Sequence, residues 1–257
     1  MITMNTSHTP PHDFVKRRND LVESLDAPEV ARRAIVVCDP IDIGYLTGVT
    51  EGISWLALWQ DGGFALSRHM LIREVEEVIG AFEVLLPAQR STDLVRLEEF
   101  LISELSRRDL KALAIDPARM NATTYLELDE QASAVGLSVH CAPRMVSRKR
   151  QCKEESERRA ITRCVKIAEQ AFTGLLENGS SGLIGRTEQE VARELESRML
   201  VLGADRQGFP ETGIIVASGP HSASAHHRPG MRRIAKGETL LIDWGAELAG
   251  YRSDMTR

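Results

Sequence analysis

The chain has 257 residues, enough for one large domain or two of modest size, and its 42% hydrophobic and 27% charged content excludes a disordered or fibrous protein. A formal net charge of −5 implies no basic face and argues against nucleic acid as a partner. No apolar run approaches the roughly 18 residues that span a bilayer, and residues 1–13 lack the basic-then-apolar order of a signal peptide. The expectation is a cytoplasmic protein with no membrane association. Its cysteines (Cys38, Cys141, Cys152, Cys164) form no CxxC pair and read as reduced thiols.

Residues 1–13 are polar and are expected to be a disordered tail. Residues 14–24 fit a short amphipathic helix, and 34–38 a buried strand ended by Asp39-Pro40. Residues 43–49, with Tyr45-Leu46-Thr47-Gly48, read as a short extended piece. Two strands, 55–59 and 63–67, flank the turn signal Asp61-Gly62. A helix over 71–81, a strand over 82–86 and a helix over 94–108 follow, then a strand over 112–115, a helix over 123–136 and a strand over 138–142. This alternation predicts an α/β domain over 14–143 with a mixed or parallel sheet.

A second domain, 144–257, opens with the basic stretch 144–153. A long helix is expected over 154–177, with Ile161, Val165, Ala168 and Phe172 as its apolar positions. A Gly/Ser loop leads to Thr187-Glu-Gln-Glu190, a capping-box start for a helix running to about Leu202. From Gly213 the period changes to two. Residues 214–217, 239–244 and 247–253 read as strands of an antiparallel sheet, with Gly245 allowing the turn between the last two.

The chemistry concentrates at the end of this domain. Asp243 and Asp254 stand 254 − 243 = 11 apart in the two strands of that hairpin. Two carboxylates brought together repel, and a shared cation removes the repulsion. Hard oxygen ligands favour Mg or Mn, and mixed sites with His favour Zn, Co or Fe. The alternative is two surface aspartates beside a turn, where Asp is common. Upstream, the Gly/Pro-rich segment 216–230 holds His221, His226 and His227. A neutral imidazole there can ligate metal, bind substrate or move a proton, or it can simply be solvated.

Four blocks, taken together, resemble the pita-bread superfamily of aminopeptidase P, prolidase, methionine aminopeptidase and creatinase. They are Ala217-Ser-Gly-Pro220; His226 with Arg228-Pro229; Leu241-Ile-Asp243-Trp-Gly-Ala246; and Gly250-Tyr-Arg-Ser-Asp254-Met-Thr-Arg257. Residues 150–157 and 185–188 are similar to the opening of that family's catalytic domain and to a helix start within it. Residues 38–48 are similar to a segment of the creatinase-like N-terminal domain.

The resemblance implies a creatinase-like α/β domain followed by the first part of an α+β pita-bread domain. It also implies a site for two divalent metal ions, Mn first and Co or Zn as options. Asp243 and Asp254 match the two aspartate ligands. His226 matches the histidine that lines the substrate site and helps stabilise the tetrahedral intermediate. His227 and His221 stand where the family often has Tyr and Asn, and are expected to contact substrate. The implied activity is cleavage of an N-terminal Xaa-Pro bond by water activated at the metal pair. The substrate is a peptide or small amide, and the protein a homodimer. The family's remaining His and two Glu ligands fall beyond Arg257, so the expectation is a shortened chain with weak metal binding and little turnover. Alternatives are a creatinase- or ectoine-hydrolase-like C–N hydrolase of a small molecule, or a non-catalytic dimerisation or binding fragment.

Overall fold

The computed structural model describes residues 12–24, 32–49, 51–67, 71–79, 82–86, 97–209 and 211–257. The tail expected over 1–13 therefore lies outside the described residues except for its last two. So do the ends of the helices expected over 71–81 and 94–108. The chain divides into two units, His12–Cys152 and Lys153–Arg257.

The first unit contains α1 (Phe14–Ser24), β1 (Arg33–Val37), α2 (Pro40–Thr47), β2 (Ile53–Trp59), β3 (Gly62–Ser67) and α3 (Ile72–Ile79). It continues with β4 (Glu83–Leu85), α4 (Leu97–Arg107), β5 (Ala112–Ile115), α5 (Ala122–Ala134), β6 (Ser138–Cys141) and α6 (Met145–Gln151). The strands form one mixed sheet in the order β4-β3-β2-β1-β5-β6. β1, β5 and β6 run parallel, while β1–β2 and β2–β3 are antiparallel. Along β1, Ile35 and Val37 enter one apolar core, and Ala34 and Val36 enter another. A strand that alternates between two cores is buried on both faces, which explains its unbroken apolar run.

The extended piece expected over 43–49 is instead the helix α2. The Asp39 carboxylate accepts from the amides of Ile41 and Asp42, Pro40 occupies the first turn, and Gly48 closes the helix at φ 80°. An acidic N-cap, a proline at the start and a left-handed glycine at the end outweigh the β preference of Ile43, Tyr45 and Thr47. The basic stretch after Pro143 also differs from expectation. It forms α6 and packs with the first unit, where Met145 and Val146 are buried and Arg150 meets buried Asp42 at 2.9 Å. The division thus falls after this helix and not before it.

The second unit contains α7 (Glu155–Leu175), α8 (Glu188–Val201), β7 (Arg206–Gln207), β8 (Ile215–Ser218), β9 (Leu240–Trp244), β10 (Ala246–Leu248), β11 (Tyr251–Arg252) and β12 (Met255–Thr256). Its strands make two antiparallel three-stranded sheets, β11-β10-β7 and β12-β9-β8. The buried stripe of α7 is Ala160, Cys164, Ile167, Ala168, Ala171 and Leu175; of the expected positions Ala168 is buried, and Ile161, Val165 and Phe172 are half-buried beside it. Small side chains there let the sheet approach closely: Trp244 stacks on Phe172 at 4.4 Å and donates its indole N–H to the Ala168 carbonyl at 3.0 Å. Among the described residues no helix is long and apolar enough to cross a membrane.

Candidate functional site

The hairpin carrying the two aspartates keeps one register throughout. Leu248 faces Tyr251, Glu247 faces Arg252, Trp244 faces Met255 and Asp243 faces Thr256. The turn is Ala249–Gly250, both at positive φ (51° and 79°), the pattern of a two-residue type I′ turn. Gly245, expected to permit this turn, lies between the two ladders, at the register position of Asp254. A Cβ on it would sit 1.9 Å from the Ser253 carbonyl oxygen, so glycine is required there for close backbone approach.

The strand expected over 247–253 is accordingly two short strands about a turn. Along β9, Ile242 and Trp244 are buried against the helices and Asp243 points to the other face, where it is half-buried. The Thr256 hydroxyl donates to Asp243 Oδ1 at 2.9 Å. Asp254 is exposed and two residues from Thr256, so it shares that face as the diagonal neighbour of Asp243. Diagonal neighbours have Cα atoms roughly 7–8 Å apart, within reach of a shared cation. Among the described residues neither aspartate has a basic partner. Glu247, by contrast, is buried between Arg206 (2.8 Å) and Arg252 (2.6 Å), which hold its carboxyl below the usual range although burial pushes it up. An oxygen-only donor set carrying two uncompensated negative charges fits a hard divalent ion.

The histidines gather elsewhere. Thr187 and Glu190 form the expected capping box at the start of α8, with bonds of 3.1 and 2.7 Å. The next two helix amides, of Glu188 and Gln189, donate to the carbonyls of Arg232 and Gly230. The loop after β8 is thereby folded back on the helix start, and Glu188 is its hub. This carboxylate is fully buried. Oε1 accepts from the Ser218 amide and hydroxyl, both at 2.8 Å, and from His221 Nδ1 at 2.9 Å. Oε2 accepts from His227 Nε2 at 2.8 Å and from the Gly230 amide at 3.2 Å. Burial alone would push the Glu188 carboxyl up. The donors outweigh it, His227 first, then Ser218 and His221, and take it down to about 2. The two imidazoles lie 4.2 Å apart, centroid to centroid.

The structure thus joins His221 and His227 through a glutamate, while His226 between them is exposed. Asp243 pairs across the sheet with Ile215, three residues along β8 from Ser218, or about 10 Å at the strand rise. Strand alternation puts Ser218 on the helix side with Val216, away from the Asp243 face. The aspartates and the Glu188 cluster are therefore two separate constellations. Sequence reasoning passed over Glu188 as part of a helix start. The available signal was that Glu190 already serves the cap, leaving the neighbouring glutamate without a structural task.

Residues 159–257 match the family model for metallopeptidase family M24. The uncharacterized peptidase YqhT of Bacillus subtilis is 25% identical over 225 residues, 87% of this chain and 59% of that protein. An Xaa-Pro dipeptidase of Pyrococcus horikoshii is 35% identical over 105 residues, 41% of this chain and 28% of its own length. Among solved structures, the Xaa-Pro dipeptidase from Bacillus anthracis superposes with a TM-score of 0.81 at 21% identity, over 95% of this chain and 64% of that one, a likeness of fold. This chain thus spans about three fifths of the length of relatives that match nearly all of it.

Proposed function

We propose that this chain, whose residues 159–257 match the model for metallopeptidase family M24, serves a metal-dependent hydrolase of the Xaa-Pro dipeptidase type. The observation that carries the reading is the pair Asp243 and Asp254: two carboxylates on one face of a hairpin, neither with a basic partner among the described residues.

In this reading both aspartates hold divalent cations, Mn first. When bound, such ions polarise the scissile carbonyl and lower the pKa of water. The protein's own part is positional. Thr256 donates to Asp243 Oδ1, which leaves Oδ2 and the Asp254 carboxylate to the cations. Gly245 keeps the two strands close enough for that. The exposed imidazole of His226 donates a hydrogen bond to the oxygen that gains charge as the amide is attacked. His221 and His227 shape the substrate pocket through the loop they anchor. The substrate is an Xaa-Pro dipeptide or a related small amide, and a homodimer in the cytoplasm completes the reading.

The reading stands on Asp243 and Asp254 as cation ligands, which metal binding tests directly. Binding is therefore the readout. Calorimetry should show Mn²⁺ binding that drops at least tenfold in Asp243→Asn and in Asp254→Asn. In Mn²⁺, an Xaa-Pro dipeptide should raise the melting temperature more than a small amidine does. Unchanged Mn²⁺ binding in both variants would sink the metal site. A preference for the amidine would favour the creatinase-like alternative.

A further inference from the structure

We propose that Glu188, His221 and His227 form a site for one divalent transition-metal ion, distinct from the aspartate pair. Two imidazole nitrogens and one carboxylate make a borderline-soft set suited to Zn²⁺ or Co²⁺, whereas the all-oxygen aspartate pair suits Mn²⁺. The spacing is nearly in place. His221 Nδ1 lies 2.9 Å from Glu188 Oε1 and His227 Nε2 lies 2.8 Å from Oε2. Ligands at the tetrahedral angle on an ion about 2.0–2.1 Å away are themselves about 3.3 Å apart, so each pair has to open by about half an ångström to admit the ion. One ligand atom from each of the three residues lies within 4.8 Å of the other two.

The surroundings support such an ion. The Ser218 amide and hydroxyl and the Gly230 amide hold Glu188 in place independently of the histidines. Outer bonds of this kind orient metal ligands. The positive charge nearby, on Arg232, is matched by Glu238 through bonds of 2.7 and 2.6 Å. The His221 side chain is 40% exposed and gives the ion access from solvent. Without an ion each ring donates an N–H to Glu188. With one, a neutral ring shifts that proton to its other nitrogen and presents the freed lone pair. The three protein ligands leave a fourth position for water. A bound ion would clasp the loop 219–230, which carries His226, onto α8.

The test uses Co²⁺, read by visible d–d absorption, and Zn²⁺, read by calorimetry. His221→Asn with His227→Tyr keeps a donor to Glu188 at each position while removing the imidazoles. Circular dichroism checks that this variant folds. Wild type should bind one ion, with an affinity at least about 100-fold higher than that of the double histidine variant. Asp243→Asn with Asp254→Asn should keep the absorption bands. An unchanged affinity in the histidine variant, loss of the high-affinity ion in the aspartate variant, or its loss in His226→Ala but not in His221→Asn would overturn the proposal. So would the absence of any Co²⁺ bands in wild type. Because the aspartate variant probes the peptidase reading separately, failure of one claim is distinguishable from failure of the other.

Discussion

Replacing Glu188 tests the buried hub quantitatively. Five donors converge on this carboxylate, from Ser218 (two), His221, His227 and Gly230. Its pKa falls from 4.5 to about 2, and at about 1.4 kcal/mol per unit the charged form stabilises the fold by roughly 3 kcal/mol. Breaking a buried charged network costs about 3–5 kcal/mol by mutational experience, a consistent figure. Glu188→Ala should therefore raise hydrogen-exchange rates of the central α8 amides by about 150-fold at pH 7. The effect must also depend on pH in one direction. A carboxyl with a depressed folded pKa contributes fully above its unfolded value near 4.5, and its contribution is lost as pH falls through about 2. About 2 kcal/mol of the difference between wild type and Glu188→Gln should therefore vanish between pH 7 and pH 3 once intrinsic exchange rates are removed. A change below about fivefold in Glu188→Ala, or a wild-type advantage that grows on acidification, would refute the reasoning.

Gly245→Ala should unfold the hairpin end locally, because its Cβ would strike the Ser253 carbonyl; exchange of the Ser253 and Arg257 amides, which bond to Ala246 and Ile242, reports it. Asp39→Ala removes the acceptor for two amides of α2 and should lower first-unit stability by about 1 kcal/mol in urea unfolding. Thr187→Ala should cost a similar amount, about 1 kcal/mol, read at the first turn of α8. Trp244→Phe keeps a ring beside Phe172 but loses the indole bond to the Ala168 carbonyl, and should lower second-unit stability by about 1 kcal/mol.

Much of the fold was legible where one local signal dominated. β1 and β5 announced themselves as unbroken apolar runs, and the Asp61-Gly62 signal marked the β2–β3 hairpin, whose turn is Gln60–Asp61 with Trp59 facing Gly62. The α8 capping box was visible residue by residue. What failed was competition between signals. At α2 the caps at both ends overrode β-branched residues between them. At the final hairpin the turn was assigned to Gly245 and Gly250 to the return strand, whereas the turn is Ala249–Gly250 and Gly245 serves close backbone approach. The candidate site was half legible. The register pairs Asp243 with Thr256, two residues from Asp254, as a hairpin requires. Glu188 was missed because its donors, Ser218 to Gly230, come from 30 or more residues away and nothing local links them to a helix start.

The central claim is that the carboxylates of Asp243 and Asp254 serve one cation centre. Crystals soaked in Mn²⁺ and measured at an X-ray energy where manganese scatters anomalously address it most directly. A peak is expected roughly 2–2.2 Å from carboxylate oxygens of both residues. Full Mn²⁺ loading with no peak between them, or with the two side chains turned to opposite faces of the hairpin, would contradict it.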